Sequence, residues 1–242
     1  MTMPRQQREE GRGPHGSDGT ASSPDNKRLP KNTPGPLAIN DAFSNMVFRD
    51  LTVAQRDAIK AAIKLALRKI GEAKAVLVAA GNRPSGRVMR YFKITGTTDA
   101  DLKALDVVLE NYNMIAGALL GHEKLVLDGE KTGPYFGIGK LLGHEVAAYV
   151  WGNERPEPGE EGTVNIVTPE FSLRSLENKA RALIHEVSHK YAGTVDVKYI
   201  QGQGGGNLDT ADAVRNADTY AYFAIPDPRS LSIKAKRNNS NK

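Results

Sequence analysis

The strongest fold signal in this 242-residue chain is the segment SLRSLENKARALIHEVSHKYAG, residues 172–193. Apolar residues recur in it at steps of three and four, the spacing of one face of an α-helix. They are Leu173, Leu176, Ala180, Leu183, Ile184, Val187 and Tyr191. Gly193 follows, and glycine reaches the left-handed conformation of a helix C-cap without steric cost. The segment therefore predicts a helix that begins after Ser172 and packs one face on a core.

Helical patterns also dominate the region before this segment. Residues 41–80 carry apolar residues at mixed three- and four-residue steps, and Gly81-Asn82-Arg83-Pro84 ends the pattern. Thr98-Asp99-Ala100-Asp101 is a capping sequence and predicts a second helix that runs to about Leu120. Between the two helices, Val88–Ile94 is compatible with a short extended segment.

The chain changes character between Gly121 and Pro169. Short apolar stretches at Lys124–Leu127, Glu145–Trp151 and Thr163–Val167 alternate with glycine and proline turns, which predicts a small antiparallel sheet. Beyond residue 193, a glycine-rich loop at 202–206 leads to a predicted last helix from Asp209 to Phe223. The predicted fold class is α+β, with helices first, a small sheet, and then two more helices.

Composition divides the chain into three parts. Residues 1–40 are rich in Pro, Gly, Ser and charge, which predicts a disordered basic leader, and residues 229–242 predict a basic flexible tail. The leader carries +2 and the tail +5 of the net +5, which leaves −2 for the predicted domain at 41–228. We therefore expect no nucleic-acid partner. We also expect no membrane partner, because no apolar run reaches 18 residues.

The predicted helix carries a metal-binding pattern, His185-Glu186-Val187-Ser188-His189. Residues four apart lie on one helix face, so the two imidazoles can share one cation, and zinc favours such nitrogen ligands. Glu186 follows the first imidazole, where a carboxylate can act as a general base. A helix with two surface histidines is the alternative, and the motif in a helical context favours the metal site. The absence of cysteine excludes thiolate ligands and disulfides.

A catalytic zinc usually has a third protein ligand. Beyond His189 the chain contains no further His and no Glu, so a ligand from the downstream region must be an aspartate. The candidates are Asp196, Asp209, Asp212, Asp218 and Asp227. Asp196 is best placed, because it follows the expected Gly193-Thr194 turn. Upstream, His122 and His144 could approach the metal, although each lies between Gly and Glu and is more typical of a turn.

These motifs resemble one protein family. The HExxH pattern followed by Gly193-Thr194-x-Asp196-x-x-Tyr199 is similar to the aspzincins, the deuterolysin and peptidyl-lysine metalloendopeptidase family. Asn216-Ala217-Asp218-Thr219-Tyr220-Ala221 resembles the NADxYA segment of their final helix. The similarity covers roughly 163–224. It departs at Ile200, where the family has Gly, and at Ala221, where lysine-specific members carry an acidic residue.

The resemblance implies a zincin-like fold with an HExxH active-site helix and one Zn²⁺. It implies that His185, His189 and Asp196 bind the zinc. Glu186 would be the general base, Tyr199 would donate a hydrogen bond to the oxyanion, and Asp218 would orient a ligand or line the pocket. Thr163–Val167 would be the edge strand that holds an extended substrate.

The sequence thus favours a zinc-dependent endopeptidase that acts on protein or peptide substrates. The alternative is a catalytically silent zinc-binding domain that retains the fold, although such a domain would not need Glu186 and Tyr199. The N-terminus lacks the apolar stretch of a secretory signal peptide. We expect export by a route that does not read such a signal, as a bacterial toxin or effector, with a cytoplasmic enzyme as the alternative. The sequence does not identify an inhibitor or immunity partner.

Overall fold

The computed structural model describes residues 43–80, 83–130, 146–152, 155–157, 159–200 and 207–227. The predicted leader at 1–40, the glycine-rich loop at 202–206 and the predicted tail at 229–242 lie outside these ranges. The elements in chain order are β1 (Val47–Arg49), α1 (Val53–Ala80), α2 (Gly86–Phe92), α3 (Asp99–Leu119), β2 (Leu125–Glu130), β3 (Ala148–Tyr149), β4 (Gly162–Val167), α4 (Thr168–Leu173), α5 (Leu176–Ala192), α6 (Thr210–Arg215) and α7 (Ala217–Ala224). The α+β class is confirmed.

The sheet is mixed, so the prediction of an antiparallel sheet is wrong. Its strand order is β1-β2-β4-β3, with β2 parallel to both β1 and β4, and only β3 antiparallel to its neighbour. Side-chain alternation reports which residues share a face, but it carries no information on strand direction. Parallel pairing needs a long crossover, and the three helices between β1 and β2 supply it.

The sheet order also changes which strand lies at the edge. Thr163–Val167 belongs to β4, which lies between β2 and β3, so the expectation that it is an edge strand is wrong. Among the described residues, the two edges are β1 and β3. β3 and β4 both pack against α5, so β3 is an edge strand beside the helix that carries the HExxH motif.

Helix α5 lies at the centre of the helical layer and contacts α1, α3 and α7. The buried members of its apolar face are Ala180, Leu183, Ile184, Val187 and Tyr191. Leu173 and Leu176 do not share this burial, with 87% and 44% of their surfaces exposed. The helix begins at Leu176 rather than after Ser172, because the Ser175 hydroxyl accepts a hydrogen bond from the Asn178 amide and caps it there.

The C-terminal part of α5 is held close to the sheet. The Tyr191 ring packs against Gly162 at the start of β4, and its hydroxyl donates to the Lys124 carbonyl at 3.2 Å. A Cβ atom at Gly162 would overlap with this ring. Glycine is therefore required here by the close approach of a side chain and not by a turn.

The remaining predicted helices have mixed outcomes. Thr98 caps α3 as expected, with its hydroxyl accepting from the Asp101 amide at 3.1 Å. Residues 88–94 are not extended: Ser85 caps the helix α2, in which Val88 and Phe92 are buried. The predicted last helix is divided in two at Asn216, whose backbone is extended, with φ −88° and ψ 119°. Within the described residues, no helix combines the length and apolarity required to cross a bilayer.

Candidate metal centre

The HExxH residues lie inside α5 and present both imidazoles on one side. His185 Nε2 and His189 Nε2 are 3.0 Å apart, as the four-residue spacing predicts. His189 is 5% exposed and the His185 side chain 12% exposed, so neither is a surface histidine. Glu186 is also buried, with Oε1 3.9 Å from His185 Nε2. Two nitrogens and a carboxylate therefore share a largely desolvated space.

A third candidate ligand atom belongs to the loop that follows α5. Gly193 adopts φ 63° and ends the helix in the left-handed conformation that the sequence predicted. The chain then turns back, and Asp196 Oδ1 lies 3.1 Å from His185 Nε2 and 3.3 Å from His189 Nε2. Among the described residues, no other group of His, Cys, Asp or Glu side chains converges in this way. The group excludes His122, and His144 lies outside the described residues.

The spacing of these three atoms fits a zinc ion. In tetrahedral coordination with bonds of about 2.0–2.1 Å, ligand atoms lie about 3.3–3.4 Å from one another. The observed separations of 3.0, 3.1 and 3.3 Å approach this value. Two imidazole nitrogens and one carboxylate oxygen also form a donor set that zinc accepts in catalytic sites. His185, His189 and Asp196 can thus hold such an ion.

The second nitrogen of each imidazole ring is also engaged. His185 Nδ1 lies 2.9 Å from Asp218 Oδ1, and His189 Nδ1 lies 2.7 Å from the Thr194 carbonyl oxygen. A carbonyl oxygen only accepts, so His189 Nδ1 carries a proton, and Nε2 is the nitrogen that faces the centre. Metal-binding histidines typically have such partners, which fix the tautomer and the orientation of the ring.

The charges of the metal-free centre favour a cation. Burial lowers the pKa of His185, but hydrogen bonds to Asp196 and Asp218 outweigh it and raise that pKa well above its usual value. Burial raises the pKa of Asp196, but hydrogen bonds from both imidazoles outweigh it and hold that pKa far below its usual range. Two carboxylates beside two imidazoles therefore form a site that is stabilised by positive charge.

Glu186 has the properties of a proton acceptor and donor. Burial raises its pKa to about 7, opposed by the two imidazoles and supported by the carboxylates of Asp196 and Asp218. A carboxylate with a pKa near neutrality can take a proton and return it within one reaction cycle.

Tyr199 lies at the open side of the centre. Its hydroxyl donates to Asp196 Oδ2 at 3.3 Å, while 62% of the residue is exposed. Desolvation and the neighbouring Asp196 carboxylate raise its pKa to about 12, so the hydroxyl remains protonated at neutral pH. It is a hydrogen-bond donor that a bound molecule can reach.

The start of α7 holds the loop that carries Asp196 and Tyr199. Asp218 Oδ2 accepts from the Ile200 amide at 2.9 Å, so this carboxylate contacts both the loop and His185. Asn216 Oδ1 accepts from the amides of Val197 and Lys198. The sequence reading assigned no role to Asn216. The signal that could have found it was its place at the start of segment 216–221, which resembles the NADxYA motif.

Comparisons with known proteins identify a family and a similar fold. The aspzincin family model, described as lysine-specific metallo-endopeptidase, matches residues 78–225. A solved structure described as a zinc peptidase from Grifola frondosa has a similar fold, with a TM-score of 0.54 and 23% sequence identity. The alignment covers 72% of this chain and 96% of that one. No curated protein matches the chain in sequence.

Proposed function

Since the chain belongs to the aspzincin family of zinc metallopeptidases, we propose that it is an endopeptidase whose zinc is held by His185, His189 and Asp196. The observation that carries this proposal is the convergence of three ligand atoms within 3.3 Å of one another, beside a buried carboxylate. A zinc ion polarises the scissile carbonyl and lowers the pKa of a water molecule. Its substrates are proteins or peptides.

The protein groups around the centre divide the remaining chemistry. Glu186 accepts the proton of the attacking water and delivers it to the leaving amine, a role that its buried position beside His185, 3.9 Å from Nε2, supports. Tyr199 donates a hydrogen bond to the carbonyl oxygen as negative charge develops on it in the transition state. Asp218 keeps the His185 ring oriented through its contact with Nδ1.

An extended substrate has a suitable partner in β3. In the part of the chain that the structure describes, this strand lies at the edge of the sheet and packs against α5, whereas β4 has neighbours on both sides. A peptide can add to a sheet edge through main-chain hydrogen bonds, which bind it without regard to side-chain identity. The corrected strand order therefore transfers the proposed substrate-binding role from Thr163–Val167 to Ala148–Tyr149.

The proposed activity does not include a preference for lysine. A lysine side chain requires an acceptor in its pocket, but the position three residues after Asp218 is Ala221, which is fully buried. Both oxygens of Asp218 already receive hydrogen bonds, from His185 Nδ1 and the Ile200 amide. Neither residue supports carrying the family's lysine specificity over to this chain.

Glu186→Gln tests the mechanism. The amide keeps the size of the side chain but does not accept the proton, so kcat should fall by about 10²–10⁴-fold while zinc remains bound. Zinc content is measured by mass spectrometry, and activity by cleavage of casein. Glu177→Gln, at an exposed position of the same helix, is the control and should retain activity. Full activity of Glu186→Gln would remove Glu186 from the mechanism.

The same assay separates the enzyme from a silent zinc-binding domain. The buried carboxylate at Glu186 favours the enzyme, because a purely structural zinc has no need of a general base. A wild-type protein that binds zinc at the centre but cleaves neither casein nor a peptide library would be a binding domain.

We also propose that the enzyme acts after export, as a toxin or effector. This proposal is supported by the hazard that an unrestricted endopeptidase poses to the proteins of its own cell. Fractionation of the producing cells tests it. Recovery of the protein solely from their cytoplasm would contradict it.

A further inference from the structure

The loop after α5 carries two of the proposed functional residues, Asp196 and Tyr199. Hydrogen bonds join its backbone to side chains at the start of α7. Asn216 is fully buried, and its Oδ1 accepts from the Val197 amide at 3.0 Å and the Lys198 amide at 3.1 Å. These are the two residues between Asp196 and Tyr199. One side-chain oxygen thus engages the backbone between the proposed third ligand and the proposed oxyanion donor.

Main-chain bonds at Asn216 hold the other side of Asp196. Val195 and Asn216 form an isolated parallel bridge, in which the Val195 amide donates to the Arg215 carbonyl and the Ala217 amide donates to the Val195 carbonyl. These main-chain bonds do not depend on the side chain at 216. They hold the residue before Asp196, whereas the Asn216 oxygen holds the two residues after it.

The contacts of Asn216 with the loop coincide with a break in the helix that contains this position. The pattern from Asp209 to Phe223 predicts one continuous helix, yet the backbone is extended at Asn216 and the helix is interrupted. The side chain makes no capping bond to α7 and is directed to the loop instead. Its Nδ2 donates to Thr219 Oγ1 at 3.1 Å, which fixes the amide with its oxygen toward the two loop amides.

We infer that Asn216 is a positioning residue that sets Asp196 against the two imidazoles and thereby sets the affinity of the centre for zinc. The inference rests on the proposed function. A ligand on an unrestrained loop must be ordered each time a metal binds, and that loss of conformational entropy weakens binding. Asn216 orders the loop in advance, and it does so without contacting the metal.

Asn216→Ala is the direct test, with zinc affinity measured by competition against a chromogenic chelator. We expect zinc to bind about 10–100-fold more weakly, which is typical for the loss of a group that supports a metal ligand. Asn111→Ala is the control variant and should keep the wild-type affinity. Thr219→Val removes the group that orients the amide but leaves the Asn216 oxygen in place, so it should weaken zinc binding less than Asn216→Ala does. Asn111→Ala removes a buried asparagine that bonds the Tyr220 hydroxyl in the core, at 2.7 Å.

The controls separate positioning from stability. Asn111→Ala should lower the melting temperature of the metal-free protein without changing zinc affinity. Equal losses of zinc affinity in Asn111→Ala and Asn216→Ala would overturn the inference, since general destabilisation would then explain both. Wild-type affinity in Asn216→Ala would overturn it as well, and so would a loss in Thr219→Val as large as that in Asn216→Ala.

Hydrogen exchange in the wild-type protein supplies a test that does not depend on how the variants fold. In the metal-free state, the amides of Val197 and Lys198 should exchange slowly, because Asn216 holds both. Exchange at the rate of an unstructured chain would contradict the inference. Failure of the wild-type protein to bind zinc would refute the proposed function, and this inference with it. Zinc binding that is insensitive to Asn216→Ala would refute this inference alone.

Discussion

The two halves of the candidate centre are built in different ways. His185, Glu186 and His189 belong to α5, where the helix repeat alone brings the imidazoles to 3.0 Å. Asp196 and Tyr199 belong to a loop with no regular structure, and Asn216 and Asp218 hold that loop from 18 or 19 positions further along the chain. The first half is encoded locally, whereas the second half exists only when distant segments meet. Substitutions in the two halves should therefore differ in what they disturb.

The largest effect is expected in the helical half. His189→Ala removes one of two imidazoles, and a zinc ion with only His185 and Asp196 as protein ligands is bound weakly. Zinc content and casein cleavage should both fall below detection. His122→Ala, which changes a histidine outside the converging group, should leave both unchanged. Retention of a full equivalent of zinc by His189→Ala would show that the metal lies elsewhere.

Tyr199→Phe probes the loop half and leaves all three proposed ligands in place, although it removes the hydrogen bond from the hydroxyl to Asp196 Oδ2. If the hydroxyl stabilises the oxyanion, kcat should fall by about 10²–10³-fold, while zinc affinity stays the same. Steady-state kinetics and chelator competition measure the two quantities separately. The control is Tyr222→Phe on α7, which should retain kcat. A loss of zinc affinity in Tyr199→Phe that accounts for the whole change in rate would assign the residue to metal binding instead.

Asp218→Asn changes a residue that contacts both halves of the centre, the helix at His185 and the loop at Ile200. The carboxylate accepts from both His185 and the Ile200 amide, and an amide can satisfy only one of them with its oxygen. We expect zinc affinity or activity to fall by about 10–100-fold. Asp212→Asn, on the exposed Asp212–Arg215 pair, should have little effect. If Asp218→Asn also had little effect, the Asp218 carboxylate would not support the centre.

Gly162→Ala should have the smallest effect, and it acts on stability. The added methyl group overlaps with the Tyr191 ring and forces α5 away from β4, which should cost about 1–3 kcal/mol in the free energy of unfolding. Gly71→Ala, in open space within α1, should instead stabilise the protein by about 0.5–1 kcal/mol. Urea unfolding measures both. An unchanged free energy of unfolding in Gly162→Ala would show that α5 can move against the sheet at little cost.

The secondary structure predicted from the sequence is wrong mainly where contacts with other parts of the chain oppose the local conformational preference. Thr98 and Gly193 were assigned correctly as caps, because capping depends on a few neighbouring residues. The pattern at Val88–Ile94 is compatible with an extended segment, yet the Ser85 cap and burial of Val88 and Phe92 favour a helix over Gly86–Phe92. The break at Asn216 was missed, since helical periodicity continues through it and only the loop contacts explain it.

The strands illustrate the same division at the scale of the fold. Of the four strands among the described residues, apolar runs bounded by turns predicted β2, β3 and β4 but not the three-residue β1. The parallel pairing of β2 with β1 and β4 was not predicted. The direction of pairing follows from how the chain returns to the sheet. That return depends on how α1, α2 and α3 pack, and no local pattern records it.

The amino-acid sequence alone was sufficient to predict that α5 carries His185, Glu186 and His189 and presents both imidazoles on one face. A helix places residues four apart together whatever surrounds it. The lack of His and Glu beyond residue 189 and the turn at Gly193-Thr194 pointed to Asp196, and the likeness to family motifs added Tyr199 and Asp218. Folding in three dimensions was needed for Asp218 to meet His185 and for Asn216 to interrupt its helix and bind the loop. Hydrogen bonds between segments far apart in the chain follow no repeat, so they emerge only when those segments are packed together.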